Sequence, residues 1–345
     1  MKYSNVYLDA IGYELPPIIV TSQELEARLQ PVYQALHMAE GQLEALTGIQ
    51  ERRWWEPGFP VSQGAILAAR KALEQSNVRA QDLEVLIYAA VCREEFEPAT
   101  ACKVAAALGA RPDVVFDLSN ACLGVLNGIV EIANRIELGQ VRAGMVVSCE
   151  TAREINDVMI QTMLRDRNME TFKTSMATLT GGSGAVAVVV TDGSFEQAPR
   201  RRLLGGTTQA APQYHALCRW GIDAMLGAAQ QFMSTDSVSV LKYGVELGLR
   251  TWQAFLLRLG WANDMVDKII CHQVGSSHRD LILKALGIAP HKEFSTYSFL
   301  GNMGTVSLPL TAALAEEREF LLPGDRVGFL GIGSGLNCLM LGVDW

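Results

Sequence analysis

Residues 114–133 read VVFDLSNACLGVLNGIVEIA, and the order of residue types in this stretch decides the fold class. Val114 to Leu118 is a short branched and aromatic run of strand type. Ser119, Asn120 and Ala121 make a small-residue turn, and from Gly124 to Leu138 apolar residues recur at helical spacing. A strand that turns sharply into a helix this apolar belongs to an α/β protein with that helix buried. Cys122 stands where the helix begins. Unpaired backbone N–H groups and the helix dipole there favour a thiolate and can donate to an oxyanion on an attached acyl carbon. A lone buried cysteine is more often a small hydrophobe, so Cys122 reads as a nucleophile only if partners exist.

The same strand–helix rhythm continues in both directions. Strand-type runs lie at Leu86–Val91, Met145–Ser148, Ala185–Val190, Lys268–His272 and Val327–Gly331. Helical patterns cover Ser62–Gln75, Thr100–Leu108, Val238–Leu259 and His278–Leu286. DLEVLIYAAV, a helix ending Leu108-Gly109 and a strand near Phe116 recur as MVDKIICHQV, a helix ending Leu286-Gly287 and Phe294, roughly 180 residues on. This predicts two duplicated halves, residues 1–190 and 191–345. The polar, Met-rich segment near 152–181 is expected to be a cap insertion lining a substrate tunnel.

Bulk properties narrow the function. The chain has 345 residues, of which 49% are apolar and 31 are glycine, enough for a large core without disulfide staples. A net charge of −8 with no basic stripe argues against nucleic acid; Arg200, Arg201 and Arg202 read as a solvated turn. Seven cysteines without paired short spacing fit a reducing cytoplasm. The N-terminal MKYSNVYLDAIGYELP reads as a first strand and not a signal peptide, and no apolar run is long enough to span a bilayer. No CxxC or HExxH pattern calls for a metal.

KIICHQVGSSH places His272 at the end of a buried strand, and SFLGNMGTVSLPL places Asn302 in a glycine-flanked turn before another apolar helix. Cys, His and Asn at such positions make a nucleophilic constellation. His37, His215, His278 and His291 read as ordinary core or surface imidazoles. Cys122 in SNACLGVLNG, His272 in CHQVGSSH and Asn302 in GNMGTVS resemble the Cys-His-Asn triad of the ketoacyl-ACP synthase III branch of the thiolase superfamily. Thr47–Trp55 (TGIQERRWW) is similar to that branch's TGI-x-x-R motif, and Phe329–Cys338 (FLGIGSGLNC) to its glycine-rich loop. The resemblance implies a five-layer αβαβα thiolase fold of duplicated halves, a homodimer, and an oxyanion loop at Gly333 and Ser334. Arg52, Arg53 and Trp54 are candidates either for contact with the nucleotide end of coenzyme A or for a structural staple.

Within the superfamily, a second catalytic cysteine in the glycine loop marks proton-abstracting thiolases. Here Cys338 falls beyond that loop, and Asn302 stands where elongating synthases carry a second histidine. Glu97-Pro98-Ala99-Thr100-Ala101 is similar to the EPSTA-like motif of the OleA family, which condenses two long-chain acyl-CoA molecules in bacterial olefin synthesis. That resemblance implies that Glu97 enters the partner subunit's site and removes an α-proton. It also implies that Cys122 carries the acyl group and that His272 and Asn302 hold the enolate. No cofactor is then expected beyond the coenzyme A of the substrate, and downstream olefin-pathway enzymes become candidate partners. Methionines 159, 163, 169, 176, 225 and 233 are candidate tunnel linings. A decarboxylating synthase using malonyl-ACP, an acyltransferase to oxygen or nitrogen, and a non-catalytic scaffold remain as alternatives; the last has no use for the intact triad.

Overall fold

The computed structural model describes residues 1–197, 200–223 and 230–345. Thirteen strands lie among them: β1 (Tyr7–Glu14), β2 (Ile18–Thr21), β3 (Glu51–Trp54), β4 (Val85–Ala89), β5 (Val114–Leu118), β6 (Ala143–Glu150), β7 (Gly184–Thr191), β8 (Arg202–Ala210), β9 (Cys218–Asp223), β10 (Gln230–Thr235), β11 (Lys268–Cys271), β12 (Arg326–Gly333) and β13 (Asn337–Asp344). Nine of them form one sheet in the order β11-β12-β13-β8-β1-β7-β6-β4-β5. Strands β4, β5 and β6 run parallel, as do β11 and β12; the pairs around them are antiparallel. The seam between the two ends is β1 against β8, where Tyr7 pairs with Arg202 and the amides of Tyr3 and Leu203 bond to the carbonyls of Leu204 and Val6.

Helix burial turns this sheet into five layers. Gly124–Glu137 and Ser307–Glu317 bury nearly all of their apolar residues; Ser307 to Ala315 is buried on every side. Their side chains share one core with strands from both ends of the sheet, so they form the central layer. Outside the first end lie Val61–Glu74 and Thr100–Leu108, packed on β4, β6 and β7. Outside the second end lie Ser237–Leu259 and Ser276–Leu286, packed on β8, β11, β12 and β13. The fold is the α/β arrangement expected from the patterning, in the five-layer thiolase form that the resemblance implied. In both repeated units the helix stops at a left-handed glycine, Gly109 (φ 68°) and Gly287 (φ 65°), which needs no Cβ there.

Two differences from the sequence reading have local causes. The strand expected near Phe294 is only an isolated bridge, Ile269 to Glu293. There the Gln273 side chain bonds the Phe294 carbonyl and the amides of Thr296 and Tyr297, taking the place of a ladder. Strand β8 carries Gly205 and Gly206, and the β9–β10 hairpin is polar, so neither shows a branched run. Residues 153–180 form two helices, Arg153–Asp166 and Met169–Ser175, and a 3₁₀ turn. No described helix is long and apolar enough to cross a membrane.

The seating of Val61–Glu74 on β1 depends on Gly12, where a Cβ would stand 2.3 Å from the Ala72 nitrogen and 2.4 Å from the Ala68 oxygen. Backbone cannot yield as a side-chain tip does. Gly12→Ala is expected to cost about 3 kcal/mol, read as a lowered urea midpoint; an unchanged midpoint would show that this strand and helix separate freely.

Candidate active site

Three loops at strand ends converge. Cys122 follows β5, His272 follows β11, and Asn302 precedes the central helix Ser307–Glu317. Two cavities, about 610 Å³ and 230 Å³, meet at the nucleophile: Cys122, Asn302 and Ser334 line both. His272 and Gly333 line the smaller one, which reaches the surface beside Leu46 and Ser277. The larger is mainly apolar, with Ile155, Ile222, Phe232 and Met233 in its wall.

The turn that presents Cys122 is held from several sides. Ala121 sits at φ 45°, the left-handed region, at a cost on the order of 1 kcal/mol for a residue with a Cβ. Its neighbour Asn120 bonds Asn127 through Nδ2 (2.8 Å) and accepts from Asn337 Nδ2 (3.2 Å), which ties the turn to the glycine loop. The helix proper begins at Gly124, two residues after Cys122, and the Val125 amide donates to Thr305 Oγ1 (2.7 Å). A Cβ at Gly333 would lie 3.4 Å from the Cys122 nitrogen, so the loop's backbone rests directly against the nucleophile.

Asn302 is fixed by its own backbone, N–H to the Thr180 carbonyl (2.8 Å) and C=O from the Gly182 amide (2.9 Å). Its Oδ1 accepts from the Gly304 amide (3.0 Å), which leaves the NH₂ end to face the cavity. His272 is buried, and its Nδ1 has no hydrogen-bond partner among the described residues. Among the described residues no carboxylate raises its basicity. Burial, with His278 adding to it, pulls the imidazole down to about 3. Cys122 exposes part of its surface to the cavity, yet the surrounding protein pushes the thiol up to about 12, with Cys218 and the Glu150 carboxylate acting in the same sense. The sequence-based expectation of a stabilised thiolate is therefore corrected: desolvation outweighs the nearby N–H groups. Thiol and imidazole rest as a neutral pair.

Several candidates move. Arg52 is fully buried and bonds Ser22 Oγ and the carbonyls of Val20 and Leu179; burial lowers it to about 10. Trp54 is also buried and donates from Nε1 to the Gly181 carbonyl (3.1 Å). Neither can meet a nucleotide, so the staple reading holds for both; Arg53 is half-buried and donates to the Pro16 carbonyl. The TGI motif acts on the catalytic loops instead. Gly275, three residues after His272, is packed against the Thr47 carbonyl, and the Gln50 amide bonds the Ser298 carbonyl just before the Asn302 turn. Of the candidate methionines, Met176 and Met233 line the cavities. Met159 and Met163 pack in the protein interior, Met169 faces solvent, and Met225 lies outside the described residues. Ala152, Ile155, Asn156, Ala177, Thr178 and Gly181 of the segment near 152–181 line the larger cavity. Glu97 lies in neither; it is exposed on the chain's surface beside Phe96, itself 94% exposed.

Three cavity residues escaped the sequence reading. His278, read as an ordinary imidazole, lines the smaller cavity. Cys218 lines both cavities, from a hairpin without apolar periodicity. Glu150 ends the buried strand β6 and lines the larger cavity. Its signal was present in MVVSCE: an acid at the C-terminal end of a buried strand, the kind of place His272 also holds.

Residues 256–345 match the family described as 3-oxoacyl-[acyl-carrier-protein (ACP)] synthase III C terminal. Over 100% of both chains, the protein is 56% identical to the acyl-CoA:acyl-CoA alkyltransferase of Shewanella oneidensis. It is similar to cerulenin-bound OleA of Xanthomonas campestris, with a TM-score of 0.94 and 34% identity over 100% of this chain and 98% of that one. A cysteine-to-serine variant of that OleA with bound lauric acid and lauroyl-CoA has a TM-score of 0.92 at 34% identity, covering 99% of this chain and 100% of that one.

The neutral pair predicts an unusual pH dependence. His272, depressed to about 3, stays unprotonated and able to accept the thiol proton from pH 7 down to pH 5. Transfer of an acyl group from a thioester onto Cys122, followed as a mass gain, is expected to change by no more than about threefold over that range. A fall of about 100-fold would mean instead that a preformed thiolate is the attacking species, its fraction dropping tenfold per pH unit.

Proposed function

Because the chain belongs to the OleA family of acyl-CoA:acyl-CoA alkyltransferases, within the thiolase superfamily, we propose that it joins two fatty acyl-CoA molecules by a Claisen condensation without decarboxylation. The observation that carries this reading is the meeting at Cys122 of two cavities, both mainly apolar and both reaching the surface. An acyl tail can lie in one while the other admits the thioester arm.

Cys122 gives its proton to His272 and its sulfur attacks the first acyl-CoA. Coenzyme A leaves as the thiol, and an S-acyl Cys122 remains. Backbone N–H groups at Cys122 and in the Gly333–Ser334 loop receive the oxyanion. The second acyl-CoA then places its thioester oxygen against the Asn302 amide and the His272 imidazole, which stabilise the enolate. Glu97 removes the α-proton. The carbanion attacks the acyl carbon, the Cys122 sulfur leaves with a proton, and the product is a 2-alkyl-3-ketoacyl-CoA. Every proton and electron pair is accounted for with no metal or redox group, so coenzyme A enters only as part of the substrate.

Glu97 cannot serve this role from the exposed position it has in a single chain. We therefore assign it to the cavity of the partner subunit in a homodimer, with Phe96 covered by the same contact. Work in a reducing cytoplasm, with olefin- or ketone-forming enzymes consuming the product, completes the proposal.

Incubation with lauroyl-CoA alone is expected to release coenzyme A and yield the condensed β-keto product. Cys122→Ala should abolish both, and Glu97→Gln should abolish the product while leaving acylation. Mixing the two inactive variants through subunit exchange should restore about a quarter of wild-type activity, since half the dimers are mixed and each has one complete site. No recovery would place Glu97 outside the partner's site. Product formed only with a malonyl thioester would favour the decarboxylating reading.

A further inference from the structure

Glu150 is a buried carboxylate, 4% exposed, in the wall of the larger cavity, and the mechanism above does not use it. Its oxygens accept from backbone amides on two separate segments. Oε1 takes the Val91 N–H (2.9 Å) and Oε2 the Cys92 N–H (3.0 Å), both at the start of the stretch that carries Glu97. The Thr305 amide of the Asn302 turn supplies a further bond. That turn lies in van der Waals reach of the side chain: a Cβ at Gly304 would stand 3.4 Å from the Glu150 Cγ and 3.5 Å from its Cδ and Oε1.

We propose that Glu150 is a positioning residue for the condensation step, fixing the start of residues 91–97 so that Glu97 is presented at a set place to the partner subunit. The inference rests on the reading of Glu97 as the base. Within this stretch, Glu150 holds the root and Glu94 the middle, through the Ser62 amide (2.7 Å) and Lys103 (2.9 Å). Phe96 and Glu97 are exposed and lie between these anchors and the next, the amides of Thr100 and Ala101 bonded to Asp117. The place of Glu97 thus depends on where the start of the segment, at Val91 and Cys92, is set.

The two groups needed for the first half-reaction, Cys122 and His272, are held through other bonds. The Cys122 turn is fixed through Asn120, Asn127 and Asn337, and the His272 amide bonds the Leu330 carbonyl. All of the donors around Glu150 described above are N–H groups, so a carboxamide replaces one of its acceptors with an NH₂ facing another donor. Glu150→Gln thus disturbs residues 91–97 and leaves the acylation machinery in place.

The test separates the two half-reactions with lauroyl-CoA. Glu150→Gln is expected to acylate Cys122 within about threefold of wild type, yet to form condensed product about 100-fold more slowly, the effect of a catalytic group displaced by an ångström or so. The defect should belong to the neighbour's site. Glu150→Gln mixed with Cys122→Ala should therefore recover product to within about twofold of the Glu97→Gln and Cys122→Ala mixture. Parallel loss of acylation and condensation, or no recovery on mixing, would overturn the proposal, because either outcome places the action of Glu150 in its own cavity or in the fold at large. If the Gln form is insoluble, Glu150→Asp keeps both acceptors on a shorter stem and goes through the same assays with an intermediate condensation rate expected. Glu97→Gln that condenses normally would sink the reading of Glu97 and this inference together; normal condensation by Glu150→Gln beside an inactive Glu97→Gln would sink this inference alone.

Discussion

The backbone of Gly333 lies against the amide of Cys122, and the rest of the site is arranged to keep it there. A Cβ at Gly333 would already stand 3.3 Å from the Leu123 Cγ, so a longer side chain would push the loop away from the nucleophile. Gly331, two residues earlier in β12, is packed more closely still: a Cβ there would stand 2.6 Å from the side chains of Leu123 and Leu126 at the start of the nucleophile helix. Asn337 then ties β13 to Asn120, and Thr305 caps Val125. Contacts from the C-terminal part of the chain therefore set the position of a nucleophile that belongs to the N-terminal part. Neither part contains a complete site.

Burial explains the charge state of that site. An enclosed thiol and an enclosed imidazole without a carboxylate partner both favour their neutral forms, and the two can exchange a proton only as the acyl group arrives. The same arrangement suits the second half-reaction. A neutral imidazole N–H and the Asn302 NH₂ are donors that stabilise a developing enolate oxygen without the prior cost of holding a buried cation.

Much of this was legible in the sequence because it follows from local pattern. VVFDLSNACLG reads directly as strand, turn and buried helix, and Lys268–Cys271 announces His272 at its end. The glycines around Asn302 mark a close turn. What failed to show were facts about long-range packing. Arg52 and Trp54 in ERRWW suit a recognition surface and a staple equally; only the fold reveals that the carbonyls of Leu179 and Gly181 stand over them. His278 shares a helix with exposed residues, and nothing in HRDLILKAL says that one turn faces the cavity. The depressed imidazole and raised thiol are properties of the enclosure, which no stretch of residues contains.

The seam at β1 carries a consequence for how the chain is made. β1 lies between β7 and β8, and the N-terminal amine bonds the Gly206 carbonyl across 205 positions. During synthesis the first strand emerges long before either neighbour exists, so its edges stay unpaired until well over half of the polypeptide has left the ribosome. Contacts this distant in sequence slow folding and leave an apolar edge open to wrong partners meanwhile. The nascent first half is thus the stage at which a chaperone has most to protect.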